Sequence, residues 1–287
     1  MSTLDGADTE AVVQAAAAET FGDVQVTRLG TRSYRVVGKA VDAVGWFTET
    51  DSVSEWLTHL ARIARGCAPV PVAIVTVPSG VLQFVSWLPG TPFNPSGSTA
   101  CALGQLVATL HQAAGSFMPS PAFQRHMVPE QFGPAWLWED SLPDFESRGA
   151  ERRDLALLEA ACASREDVMQ LLATFEGIRS IVHYDLHAGN LLTLPDGSVG
   201  VVDWEDSAWG YRAMDLAIAW FYVPGEHRAA LLEGYASLEP VPAACGRAGF
   251  DRLLIPRWLS LYSWELDVPS SVDKRERYLS RLRTTLG

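Results

Sequence analysis

Two short apolar runs joined by a tight turn, with polar groups at their outer ends, constrain this chain more than any other stretch. Leu191 to Leu194 reads as a strand, Pro195-Asp196-Gly197 as a turn, and Val199 to Val202 as a second strand. A hairpin sets its outer ends side by side because the turn fixes the register. Asp185 and Asn190 precede the first strand and Asp203 follows the second, so the hairpin brings them together. Ile181 and Val182 form a further apolar run, which makes the segment from His183 to Asn190 a polar loop between strand-like pieces. Two carboxylates and an amide meet without help from the rest of the chain.

That set suits phosphoryl transfer. A hydroxyl nucleophile needs an acceptor for its proton, and Asp185 can serve. Magnesium on a nucleoside triphosphate takes few protein ligands, all hard oxygens, because it keeps several waters. Asn190 and Asp203 offer an amide oxygen and a carboxylate. A His-x-Asp-x-x-x-x-Asn loop followed by an apolar strand ending in Asp has the spacing of a kinase catalytic loop and its metal-binding aspartate. An isolated His-x-Asp is usually only a turn, and a lone histidine is usually a satisfied core residue. Here the loop, the hairpin, Asp203 and a downstream Asp215-Leu216-Ala217 occur in order at workable spacings.

The stretch resembles the aminoglycoside phosphotransferase and choline kinase-like family, whose loop usually reads His-Gly-Asp-Leu-His-x-Gly-Asn. The matching residues here run from His183 through Tyr184, Asp185, Leu186, His187, Ala188 and Gly189 to Asn190. The resemblance implies an α+β, two-lobed protein-kinase-like fold, with a small antiparallel sheet plus helix and a larger, mainly helical lobe. It implies ATP and Mg2+ as cofactors, Asp185 as the catalytic base, and Asn190 and Asp203 as metal ligands. His183 and Asp215 would support the loop, Asp215 from a buried position bonded to the loop backbone. Protein kinases carry Arg before the catalytic Asp and Phe-Gly after the metal-binding one. Tyr184 and Trp204-Glu205 put this chain on the small-molecule side, and the eleven residues between Asp203 and Asp215 are too few for a regulatory activation segment. Tyr184 replaces the usual Gly, so its ring either packs beneath the loop or narrows the acceptor pocket.

With 287 residues, 48% of them apolar and 20% charged, the chain is globular and long enough for two lobes and a cleft. No run of eighteen apolar residues and no basic, apolar leader is present in it, which reads as a cytoplasmic protein. Cys67, Cys101, Cys162 and Cys245 are far apart and read as reduced core residues. A net charge of -12 argues against nucleic acid or an anionic membrane as partner. It favours a basic small-molecule substrate, although solubility alone is a sufficient reason for an acidic surface.

Residues 1–88 read as a nucleotide-binding lobe and 89–287 as a catalytic and substrate-binding lobe. The first holds a helix over Glu10 to Thr20 capped by Asp8 or Thr9, then strands at Val24 to Leu29, Ser33 to Val37 and Ala43 to Thr48. An amphipathic stretch follows from Ser52 to Gly66, with Trp56, Leu57, Leu60, Ile63 and Ala64 on one face, and a second hairpin spans Val72 to Trp87. By resemblance, adenine would bind the backbone near Ser86, Trp87 and Leu88. The family's third strand carries a Lys or Arg that grips the phosphates and pairs with an acid on the next helix. Glu55 is placed to be that acid, but the strand here has no basic residue. Lys39 or Arg35 reaches in, the strand register differs, or the grip is weak. The last case supports an alternative, a nucleotide-binding pseudokinase without turnover.

Ser98 to Gly115 reads as a core helix with His111 structural, and Pro119 to Phe145 as an irregular insertion containing Trp136, Trp138, Glu139 and Asp140. Helices follow at Ala150 to Ala163, Arg165 to Glu176, Met214 to Tyr222, Glu226 to Ser237, Ala248 to Leu266 and Ser271 to Leu286. Glu265 and Asp267 read as an exposed acidic helix end, or as carboxylates that meet a cationic substrate. The expected reaction moves the γ-phosphate of ATP to a hydroxyl of a small molecule: an aminoglycoside-like antibiotic, an amino alcohol or a hydroxy amino acid.

Overall fold

The computed structural model describes residues 6–30, 32–48, 53–78, 80–121, 123, 142–174, 179–241, 247–267 and 272–287. Helix α1 (Gly6–Phe21) lies on a five-stranded antiparallel sheet made of β1 (Val24–Arg28), β2 (Ser33–Gly38), β3 (Asp42–Thr48), β4 (Pro71–Val77) and β5 (Gly80–Ser86). The strand order is β1-β2-β3-β5-β4. Tyr34, Val36, Leu82 and Phe84 turn toward α1 and meet Val13, Ala16 and Ala17 in a small core of their own. Strand alternation sends Arg35, Val44 and Val85, directly opposite one another across three strands, to the other face. That face looks onto helix α2 (Ser54–Ile63), whose Trp56, Leu57 and Leu60 join the main core.

The chain leaving this sheet is stitched to the hairpin that the sequence singled out. Strand β6 (Thr91–Pro92) pairs with β8 (Leu191–Thr193), which pairs with β9 (Val199–Val201). Phe93 N–H donates to Leu191 O at 3.1 Å. A second pair, β7 (Arg179–Val182) with β10 (Ala208–Tyr211), holds the other side of the polar loop. The remaining helices are α3 (Gly97–Gly115), α4 (Leu142–Ser147), α5 (Arg152–Ala163), α6 (Arg165–Thr174), α7 (Arg212–Tyr222) and α8 (Arg228–Ala236). Then come α9 (Arg247–Leu253), α10 (Ile255–Asp267) and α11 (Val272–Leu286). The architecture is kinase-like. Among the described residues no helix is long and apolar enough to cross a membrane.

Several sequence expectations are corrected. Helix α1 already runs from Gly6, so Asp8 and Thr9 lie inside it and do not cap it. Ile63 is exposed, since the apolar face of α2 ends at Leu60 and resumes only at Ala64. The stretch from Ala248 to Leu266 is two helices, because Pro256 lacks the N–H that a continuous helix needs and is tolerated only in a first turn. Glu265 is buried and paired with Lys274 at 3.3 Å. Strands β6 and β10 are too short to show a period and exist through distant partners. Trp136, Trp138, Glu139, Asp140 and Cys245 lie outside the described residues, while Cys67 and Cys101 are free thiols.

The α3–α8 crossing sets the spacing of the larger lobe. A Cβ on Gly104 would stand 2.0 Å from Leu231 O, and one on Gly234 would stand 2.0 Å from Cys101 O, so only glycine lets the backbones touch. Gly234→Ala should therefore cost about 3 kcal/mol, or roughly 5–10 °C in melting temperature. Gly115→Ala, where a Cβ meets nothing within 4 Å, should leave the melt unchanged. Equal melting temperatures for the two variants would contradict this packing.

Candidate active site

The loop from His183 to Asn190 is held from below by one carboxylate. Asp215, in the first turn of α7 and fully buried, accepts His183 N–H on Oδ2 and Tyr184 N–H on Oδ1, both at 2.8 Å. Two bonds to one rigid group fix the peptide between them. Tyr184 needs that support, because its φ of 65° is left-handed, a region costly for a bulky side chain. The usual Gly of the family motif is thereby explained. The Tyr184 ring lies beneath the loop, where its hydroxyl reaches so near Gly210 of β10 that a Cβ there would stand 2.2 Å away.

His183 is a buried neutral spacer. Its Nδ1 accepts Asp185 N–H at 3.2 Å and its Nε2 donates to Val202 O at 3.1 Å, which fixes the tautomer. It thus ties the loop to the end of β9, and Trp204 closes edge-on at 4.7 Å. Val202 N–H donates to Asn190 O at 2.9 Å, completing the join between the hairpin's two outer ends.

Both oxygens of Asp185 are held. Oδ2 accepts from Asn190 Nδ2 at 2.8 Å and lies 3.3 Å from His187 Nε2, while Oδ1 pairs with Arg257 Nη2. Burial disfavours its charge, but hydrogen bonding from His187 and the charge of Arg257 outweigh this and hold the carboxyl well below the usual range. Asn190 also donates to Asp185 O at 3.0 Å, which leaves its amide oxygen as the group that can take a cation. Asp203 follows with a second left-handed φ, also 65°. Desolvation and then the charge of Asp185 push its carboxyl up. Glu205 and Asp206 are raised in the same way, by desolvation and then by neighbouring carboxylates, with Arg32 opposing the rise at Glu205. Among the described residues no three His, Cys, Asp or Glu side chains form a ready metal cage.

Residues 23–253 match the phosphotransferase enzyme family. The chain belongs to that family. It is similar to a homoserine kinase of Methylocella silvestris, with 30% identity over 209 residues, covering 67% of this chain and 61% of the relative. It therefore spans about three fifths of that relative's length. In fold it is similar to choline kinase LicA from Streptococcus pneumoniae, with a TM-score of 0.69 at 15% identity over 96% of this chain and 98% of the other. It is also similar to a spectinomycin phosphotransferase in complex with ADP and spectinomycin, with a TM-score of 0.59 at 12% identity over 96% and 93% of the two chains.

Against that frame the other expected residues fall differently. Ser86 pairs with Ala43, and Trp87 N–H is spent on Asp42 O at 2.8 Å, while Leu88 is buried against Gly200 of the hairpin. Lys39 is exposed in the β2–β3 turn, at the Ser86 end of the sheet. Arg35 faces the cleft side but is held by Asp42 through two bonds of 3.0 Å and stacks 4.0 Å over Trp87. Glu55 takes no strand cation: its carboxylate accepts Ser120 N–H and Ser120 Oγ–H, each at 2.8 Å. Glu55 is thus bonded to Ser120 and Arg35 to Asp42, so neither contact supplies the strand cation that the family's pattern pairs with an acid on this helix. Two further residues went unnoticed in the sequence. Arg257 reaches Asp185 from α10, and Arg32 on the β1–β2 turn is near enough to Glu205 to be felt there.

Burial pushes both His111 and His183 below the ordinary histidine range. The folded state thus prefers them neutral, and stability is lost as pH falls through the unfolded value near 6.5 and the unfolded chain takes up protons. Urea melts between pH 7.5 and 5.5 should show this loss. His111→Gln should flatten part of the drop between pH 6.5 and 5.5. An unchanged slope in that variant would mean His111 is not held neutral.

Proposed function

We propose that this chain is an ATP-dependent kinase that phosphorylates a hydroxyl group of a small, nitrogen-bearing molecule. The convergence of Asp185, Asn190 and Asp203 on a loop anchored by Asp215 carries this reading. The acceptor oxygen forms a bond to Pγ as the bond from Pγ to the β,γ-bridging oxygen breaks, and that electron pair leaves with ADP. The hydroxyl proton passes to Asp185. A strongly acidic Asp185 is a weak base, so orientation of the hydroxyl is its larger contribution, in keeping with a loose transition state.

Asn190 and Asp203 are the residues that would hold magnesium. Burial and then neighbouring carboxylates raise the Asp203, Glu205 and Asp206 carboxyls, and a divalent cation would relieve the crowding among them, so the donor set fits. When bound, the ion offsets negative charge on the phosphates. The base of ATP would lie along Ser86 to Leu88. With β3 bare, Lys39 exposed at the Ser86 end and Arg35 tied to Asp42, Arg32 is the cation best placed to meet the phosphates.

The homoserine kinase relative supports a hydroxy amino acid as the first acceptor to test, with amino alcohols next. It also supports turnover over nucleotide holding alone. Magnesium-dependent ADP release should appear with one of these acceptors and vanish in Asp185→Ala. Arg32→Ala should raise the KM for ATP about tenfold, as expected for a lost charge-assisted contact. Saturable ATP binding without turnover on any hydroxy amino acid, amino alcohol or aminoglycoside would replace this reading with the pseudokinase.

A further inference from the structure

The expected catalytic carboxylate has a partner from outside its own loop. Arg257 stands in the first turn of α10, just after Pro256, and its guanidinium spans two adjacent residues. Nη1 donates to Tyr184 O at 2.9 Å and Nη2 pairs with Asp185 Oδ1. The left-handed Tyr184 peptide is thus fixed from both sides, its N–H by Asp215 and its carbonyl by Arg257. Helix α10 is itself braced against α7, since Trp258 meets Phe221 at 4.6 Å and stacks on Tyr278 of α11 at 6.3 Å.

We infer that Arg257 is a positioning residue for phosphoryl transfer: it fixes the rotation of the Asp185 carboxylate and ties the C-terminal helices to the catalytic loop. This rests on the kinase reading above. The Asn190 and His187 contacts both fall on Oδ2, so Arg257 clamps the rigid carboxylate from its second oxygen. Without it, Oδ1 loses this contact and the carboxylate keeps only its Oδ2 contacts to Asn190 and His187, a looser hold on its rotation. The planar fork matters as well as the charge. A lysine ammonium replaces the charge but cannot hold a carbonyl and a carboxylate in one fixed geometry.

The test is steady-state kinetics of the full chain with ATP, magnesium and the acceptor found active, comparing wild type with Arg257→Ala and Arg257→Lys. A misplaced carboxylate should lower kcat about 100-fold in Arg257→Ala while the KM for ATP stays within about threefold. Arg257→Lys should fall between, and added guanidinium should restore part of the Arg257→Ala rate. Thermal melts check folding, and if the alanine variant does not fold the lysine variant decides. A kcat within threefold of wild type in whichever folded variant decides would overturn the inference. So would a loss seen in the KM for ATP alone. No turnover by the wild-type chain would defeat the kinase reading, and the inference with it.

Discussion

A single buried carboxylate organises the site. Asp215 has no exposed surface, and burying such a group is costly unless hydrogen bonds meet its charge. It is met by the N–H groups of His183 and Tyr184, with His111 Nε2 at 3.6 Å and the His111 ring held by Tyr235 at 3.0 Å. Those contacts need α7, α3 and α8 to be in place together. The glycine-mediated α3–α8 crossing puts Tyr235 within reach of His111, and the β7–β10 pair sets the loop above α7. The left-handed conformation at Tyr184 costs about 1–3 kcal/mol and persists because the surrounding structure over-determines it. Local strain at the loop is thus held by long-range packing.

The distribution of charge follows from this frame. Hydrogen bonding from His187 and the charge of Arg257 keep Asp185 ionised, while Asp203, Glu205 and Asp206 crowd the far side and are raised by burial and then by neighbouring carboxylates. A site with that asymmetry offers a fixed anion to a hydroxyl and a cluster of carboxylates to a cation. On the sheet above, the face toward the cleft presents Val44 and Trp46 in place of a basic residue, and Arg35 is consumed by Asp42 and Trp87. Arg32, on the β1–β2 turn, is the cation felt at Glu205.

The parts legible in the sequence were those whose geometry is local. The Leu191–Val202 hairpin, the approach of Asn190 to the strand after the turn, and the order of three strands, a helix and two strands in the small lobe all follow from turn chemistry and the periods of strand and helix. Asp215 was legible through its motif, and its two backbone bonds show why a carboxylate is needed at that position. What escaped was set by contacts across long separations. Arg257 lies 72 residues from Asp185, and Ser120 lies 65 residues from Glu55. No local pattern announces either. Glu265 looked exposed because it sits near a helix end, and only the docking of α11 brings Lys274 over it. Tyr184 left two readings open, and the small Gly210 beneath it decides for packing under the loop.

The central claim is that Asp215 presents Asp185, Asn190 and Asp203 as one assembled set for ATP, magnesium and a hydroxyl acceptor. A crystal structure of the chain with magnesium and a non-hydrolysable ATP analogue tests it most directly. Metal density should be bound by the Asn190 amide oxygen and the Asp203 carboxylate, with the base against Ser86 to Leu88 and Asp185 free of metal. Metal bound without Asp203, or nucleotide seated away from the Asp185 loop, would contradict it.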